Sequence, residues 1–305
     1  MALKKSDILV LMEICRGAGR RAALSQKLKV TPNYITPILK RLDKMRFIDL
    51  EKNGKIISIQ LSNTPFALSF KSMLIQEPGT DYSSFLFGLN HRILSYCLFS
   101  GKSFSDVASQ LNISKKTVMN QALRLRNRQL LSKENRLLRF NKQSWPVLYK
   151  FLSDFRNYSE IGNVLWKFEE EILVEVSKPI AASLTGFAAY RSFGIPVNVI
   201  KYLYYLPKKK LSKEEVFVHS LLQIRADTRL LELAVVFYHK NHLSKERLYN
   251  LAVKYDCLDA MNDFFKILGL QEGELRTNNL PLASAKGMQE MLETYKVIKN
   301  GRYIE

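Results

Sequence analysis

A chain of 305 residues that is 47% hydrophobic and 11% aromatic is long enough for two or three domains with real cores, which excludes wholesale disorder. Its net charge of +19 points to polyanionic partners and is unevenly placed: residues 1–160 carry 27 Lys and Arg against 11 Asp and Glu, whereas residues 161–305 carry 20 against 17. Cys15, Cys97 and Cys257 are far apart in apolar helical stretches and read as buried thiols of a reducing, cytoplasmic location, and no run of about 18 apolar residues offers a membrane span.

At the N-terminus, the apolar run after Lys4-Lys5 is bracketed by Asp7 and Glu13, so it reads as a helix and not as a signal peptide. Leu24 and Leu28 mark a second helix. The turn "KVT" then places Thr31 to cap a third helix, with Pro32 suited to its first position and Pro37 expected to kink its interior. "FIDLEKNGKIISIQLS" alternates apolar and polar residues around Asn53-Gly54, a strong hairpin signal. "NTPFALSFKSMLIQEPGTDYSSF" has helical spacing through Phe66, Phe70 and Leu74, then a Glu-Pro-Gly-Thr break; it reads as a linking helix and a turn.

Eighty-three positions on, the pattern returns. Val10, Leu11 and Ile14 lie over Ile93, Leu94 and Cys97; Leu24 and Leu28 over Val107 and Leu111; Ile35 and Leu42 over Val118 and Leu125; Phe47-Ile48 over Leu130-Leu131. This is the signature of a tandem duplication of one domain. In the second copy Ser114 is placed to cap a helix whose apolar stripe is Val118, Ala122 and Leu125. Lys115, Lys116, Thr117, Asn120, Gln121 and Arg124 occupy its other side, and the stretch Val107 to Lys133 holds six Lys or Arg and no Asp or Glu. Cations mixed with amides and hydroxyls can hold phosphates and also read base edges. "LSKENRLLRF" would be a shorter hairpin without a Gly turn, and "SWPVLYKFLSDFRNYS" a helix capped by Ser144 that leads into a third domain or makes a dimer contact.

At residues 4–62 and 88–141 the chain resembles the winged helix-turn-helix domains of prokaryotic transcription regulators. That resemblance implies the third helix of each copy as the DNA-reading helix and the hairpin as the wing. The DNA-binding set is then Thr31, Asn33, Tyr34, Thr36, Lys40, Arg41, Lys52 and Lys55 in the first copy, and Ser114, Lys115, Lys116, Thr117, Asn120, Gln121, Arg124, Lys133, Arg136 and Arg139 in the second. The first copy, with Asp43 among its cations and Pro37 in its helix, is the one more suited to exchanging DNA for protein contacts.

From Ile161 the texture changes. "LWKFEEEILVEV" and "VNVIKYLYYLP" read as strands flanking a helix, "AASLTGFAAYRSFG", that closes on Gly194. Helices follow, one with a Ser212–Glu215 capping box and one starting at Ser244. Residues 183–194 and 214–256 resemble the C-terminal region of abortive-infection type E antitoxins, whose C-terminal domain is nucleotidyltransferase-like; archaeal winged-helix proteins of unassigned role are an equally close likeness. The resemblance implies an autoregulatory DNA-binding protein encoded beside a nucleotidyltransferase toxin, although a duplicated winged helix departs from that family's single one.

An active nucleotidyltransferase needs a Gly-Ser turn and paired acids such as Asp-x-Asp to hold divalent metals. Gly186 is followed by Phe187 and no Asp-x-Asp occurs; Glu169, Glu170, Glu171 and Glu175 fall on an expected strand. His239 and His242 lack a third metal ligand at sensible spacing, and no nucleotide-binding or hydrolase motif is present. The expected fold is α+β and mainly helical: residues 1–76 and 77–158 as two winged helices, 159–305 as a degenerate nucleotidyltransferase-like and helical domain. The expected function is a non-enzymatic, sequence-specific regulator that binds duplex DNA without a cofactor, forms homodimers through its C-terminal half, or meets a cognate toxin there. The alternative is a nucleotidyltransferase-type enzyme that grips nucleic acid with its winged helices.

Overall fold

The computed structural model describes residues 3–53, 56–224, 227–299 and 302–303. The protein is α+β and mainly helical, with small antiparallel sheets, and divides into two compact units, Met1–Tyr158 and Ser159–Glu305.

The first unit runs α1 (Lys5–Cys15), α2 (Arg21–Leu28), α3 (Pro32–Lys44), β1 (Ile48–Asn53), β2 (Ile56–Leu61) and α4 (Pro65–Gln76), and then repeats itself. After a 3-10 turn at Tyr82–Ser84 come α5 (Gly88–Tyr96), β3 (Lys102–Ser103), α6 (Phe104–Leu111), α7 (Lys115–Asn127), β4 (Leu131–Glu134), β5 (Leu137–Phe140) and α8 (Pro146–Asn157). The backbone repeats in detail. Lys29 and Asn112 end α2 and α6 in the left-handed region (φ 54° and 53°), and Arg46 and Gln129 follow α3 and α7 the same way (φ 61° and 57°). Behind them the Phe47 and Leu130 amides donate to the Leu42 and Leu125 carbonyls, both at 2.9 Å. Both residue pairs are 83 positions apart, so the duplication extends from apolar spacing to individual helix ends.

The hairpin expected around Asn53-Gly54 pairs in register from Ile48↔Leu61 to Asn53↔Ile56; Gly54 and Lys55 lie outside the described residues. The second hairpin turns through Asn135 and Arg136, both at positive φ (48° and 66°), so it makes a two-residue turn without glycine. Each hairpin takes a short third strand from the residues before its second helix, as the Arg20↔Ser58 bridge in the first repeat and β3 on β5 in the second.

Two local expectations are corrected. Thr31 stands at the N-cap of α3 but accepts no side-chain bond, whereas Ser114 caps α7 by accepting from the Thr117 amide at 3.1 Å. Pro37 lies inside α3, which runs continuously past it although the bond to the Asn33 carbonyl is forgone. Ser144 is not a cap either: α8 starts at Pro146 behind Trp145, and the Ser144 hydroxyl accepts from Asn141. The helix read as a mere link, α4, packs on α8, and their aromatic residues Phe66, Phe70, Phe151 and Phe155 surround Phe47. Burying side chains of this size contributes roughly 1.5–3 kcal/mol each.

In the second unit, β6 (Asn163–Phe168), β7 (Glu171–Val176), β8 (Ser183–Thr185) and β9 (Tyr202–Leu206) form an antiparallel sheet in the order β6-β7-β9-β8. "LWKFEEEILVEV" is therefore a hairpin and not one strand: it reverses at Glu169-Glu170, with Glu169 at φ 54°. Likewise "SLT" is strand β8, and Gly186–Phe193 follows as a 3-10 helix ending at left-handed Gly194. Gly186 is required there, because its φ is +59° and a Cβ would lie 2.1 Å from the Gln223 side-chain oxygen that accepts from the Phe187 amide. Helices α9 (Lys213–Leu221), α10 (Thr228–Lys240), α11 (Lys245–Lys254) and α12 (Leu258–Leu268) follow, with the Ser212–Glu215 capping box and the Ser244 cap both formed. The chain closes with β10 (Glu274–Leu275), β11 (Ala283–Ser284), α13 (Ala285–Thr294), β12 (Ile298–Lys299) and β13 (Arg302–Tyr303). Tyr190 stacks on Phe237, centroids 4.1 Å apart, Phe217 stacks on Phe237 as well, and Phe264 meets Phe217 edge to face, all within this unit's core.

Candidate nucleic-acid interface

Helix α7 buries Val118, Ala122 and Leu125, so the rest of its circumference faces water. Ser114, Lys115, Lys116, Asn120 and Arg124 are exposed; Thr117 and Gln121 are half-buried. Arg124 makes no ion pair or hydrogen bond among the described residues, and with Gln121 it borders an open cleft that also holds Asn90 and Phe85. The hydroxyls of Ser114 and Thr117 lie 2.8 Å apart, which fixes the first turn. Beyond the helix, Lys133, Arg136 and Arg139 are exposed on the hairpin, where Lys133 leans over the Phe104 ring at 5.6 Å. The result is a surface of cations and amides on a rigid helix and an adjoining hairpin, with Glu134 as the hairpin's one carboxylate.

The first repeat presents less. Thr31, Asn33, Tyr34, Lys40 and Lys52 are exposed on α3 and β1, Tyr34 by 53%. Thr36 is occupied: its hydroxyl donates to the Pro32 carbonyl at 3.0 Å and accepts from Arg21 at 3.3 Å. Arg41 is engaged within its own repeat. Its guanidinium closes on Asp7, a fully buried carboxylate of α1, through Nε at 3.0 and 3.1 Å and through a terminal nitrogen. At the 83-residue offset Arg41 corresponds to Arg124 and Asp7 to Asn90. An amide in place of the carboxylate thus coincides with an arginine that is free in the second repeat and bound in the first. Lys55 lies outside the described residues.

No family model, curated protein or solved structure matches this chain.

The second unit holds a buried Thr185–His219 hydrogen bond alongside several partly exposed ion pairs. The carboxylates weighed for metal binding are dispersed: Glu169 and Glu170 sit in the β6–β7 turn, Glu171 pairs with Lys254 at 2.8 Å, and Glu175 pairs with Lys201 at 3.7 Å. Burial works to raise the Glu171 pKa, but the Lys254 ammonium beside it outweighs that and holds the carboxyl below its usual range. His219, wholly buried, shares a 2.8 Å hydrogen bond with Thr185 through Nδ1, and desolvation pushes its pKa well below the ordinary value, so it is neutral.

Sequence reading missed Arg21. It is exposed at the start of α2 and reaches Thr36 on α3, beside the proposed reading surface of the first repeat. Its signal was the arginine pair Arg20-Arg21 at a helix N-terminus, where a cation is unfavourable for the helix itself.

Proposed function

We propose that this protein is a sequence-specific, duplex-DNA-binding transcription regulator whose two repeats act as winged helix-turn-helix modules. The observation that supports it most directly is α7, a packed helix whose exposed side carries Lys115, Lys116, Asn120, Gln121 and Arg124 without a carboxylate. Amides and guanidinium groups of this kind pair bidentately with adenine and guanine edges, and lysines hold the phosphates that set the register. Arg136 and Arg139 on the second hairpin add backbone contacts. In this reading the unit from Ser159 onward meets a partner or a second copy.

The test is duplex binding by the full chain as salt is varied. If about 6–10 phosphates are neutralised, affinity falls roughly 10³–10⁵-fold between 50 and 200 mM salt. A salt-insensitive isotherm overturns the reading, as does metal-dependent nucleotide transfer that disappears in Glu171→Gln.

A further inference from the structure

Helices α4 and α8 close the two repeats, both begin with proline, and both occupy the same place in the element order. Matched at Pro65 and Pro146 they are 81 positions apart, the offset having changed because the second hairpin is shorter and its connection longer. At that offset Phe70 corresponds to Phe151. These two rings touch each other, edge to face, with centroids 5.2 Å apart. On one side of this contact Phe66, near the start of α4, meets Phe155 and Tyr158 at the end of α8, at 5.3 and 5.0 Å. The helices therefore run antiparallel and cross where corresponding residues coincide. That is the arrangement a two-fold axis produces.

A second contact agrees. The repeats also touch where they begin: the Gly88 amide at the start of α5 donates to the carbonyl of Leu3, just ahead of α1, at 3.0 Å. Each closing helix is anchored in its own repeat, α4 packing on α1, and α8 on α5 through His91–Phe155 contact and a 2.8 Å bond from Arg156 to the Ser95 carbonyl. The relation between α4 and α8 is thereby passed to the helices before them. Head-to-tail repeats would bring unlike surfaces together; here like meets like, as in an isologous dimer.

We infer that the 1–158 unit is an intrachain counterpart of a two-fold dimer, and that a single chain binds an inverted-repeat duplex with unequal halves. The inference rests on the DNA-binding reading above. The halves differ because α3 presents Asn33, Tyr34 and Lys40 where α7 presents Lys116, Thr117 and Leu123. One chain then does what two copies do in a dimeric regulator, with half-sites about one duplex turn, or 10–10.5 bp, apart.

The experiment selects sites from a random duplex library with the full chain, then measures the mass of the complex by sedimentation. The expected result is an imperfect inverted repeat holding one chain, bound at least about 10-fold more tightly than a direct repeat of the same halves. Arg124→Ala should relax base preference in one half and Tyr34→Ala in the other. Two chains per site, equal affinity for the direct repeat, or both substitutions acting on the same half would overturn the inference while leaving DNA binding standing. Failure to bind any duplex removes the DNA-binding reading, and this inference with it.

Discussion

Arg41 and Asp7, 34 residues apart, form an ion pair between a partly exposed guanidinium and a wholly buried carboxylate, and it ties α3 to α1. The carboxylate has no exposure and also accepts from the Lys4 amide at 2.8 Å, so it both caps its own helix and holds the next but one. The corresponding residues of the second repeat, Asn90 and Arg124, carry no such charge pair, and the arginine is left at the surface.

Removing Arg41 strands a buried carboxylate, whose loss of a partner costs about 3–5 kcal/mol in general. The Lys4 amide remains, so Arg41→Ala should lower the unfolding free energy by about 3 kcal/mol, at the low end of that range. Chemical denaturation measures this. Arg124→Ala, by contrast, should leave stability unchanged within about 0.5 kcal/mol, as for other exposed sites.

Exposed residues of the second repeat should separate by role. Arg124→Ala or Asn120→Ala should cost about 1–3 kcal/mol on a selected site and little on random DNA, because base-edge bonds carry the sequence information. Arg136→Ala and Arg139→Ala should weaken both equally and reduce the salt slope by about one each. Titrations of both DNAs at two salt concentrations decide it; equal losses for Arg124→Ala would reverse the assignment.

Acid should loosen the first unit. His91 is buried, and desolvation lowers its pKa from 6.5 to about 4. The unfolded chain takes up the proton first as pH falls. His91's contribution is therefore complete above pH 6.5 and declines at up to ~1.4 kcal/mol per pH unit until the native residue protonates near pH 4. Urea unfolding at pH 6.5 and 5.0 should differ by about 1.6 kcal/mol more in the wild type than in His91→Leu. Identical pH dependence in the two proteins would contradict this.

Gly186→Ala combines a left-handed backbone with a methyl group placed against Gln223. Strain of this kind costs roughly 1–3 kcal/mol, and displacing Gln223 also leaves the Phe187 amide without its acceptor. A lowered thermal midpoint is expected, whereas Gly79→Ala, with open space around it, should change little.

Much of the fold could be read from residues near one another in the chain. The helices of the first unit follow from apolar residues three and four apart, the first hairpin from alternation around Asn53-Gly54, and the Ser114, Ser212 and Ser244 caps from a hydroxyl before a periodic run. The repeat was visible because a duplicated domain keeps its buried stripe. What the chain order hid was set by contacts over long separations or by weak local signals. The β6–β7 turn contains glutamates and no glycine, so two strands read as one. The capture of Arg41 depends on a carboxylate 34 residues earlier, and nothing local distinguishes it from the free Arg124. Phe70 read simply as part of the apolar face of one helix and Phe151 as one apolar residue within another, since periodicity shows that a face must be covered but not by what. Only packing made each the cover of the other, and so turned a repeat along the chain into a two-fold arrangement in space.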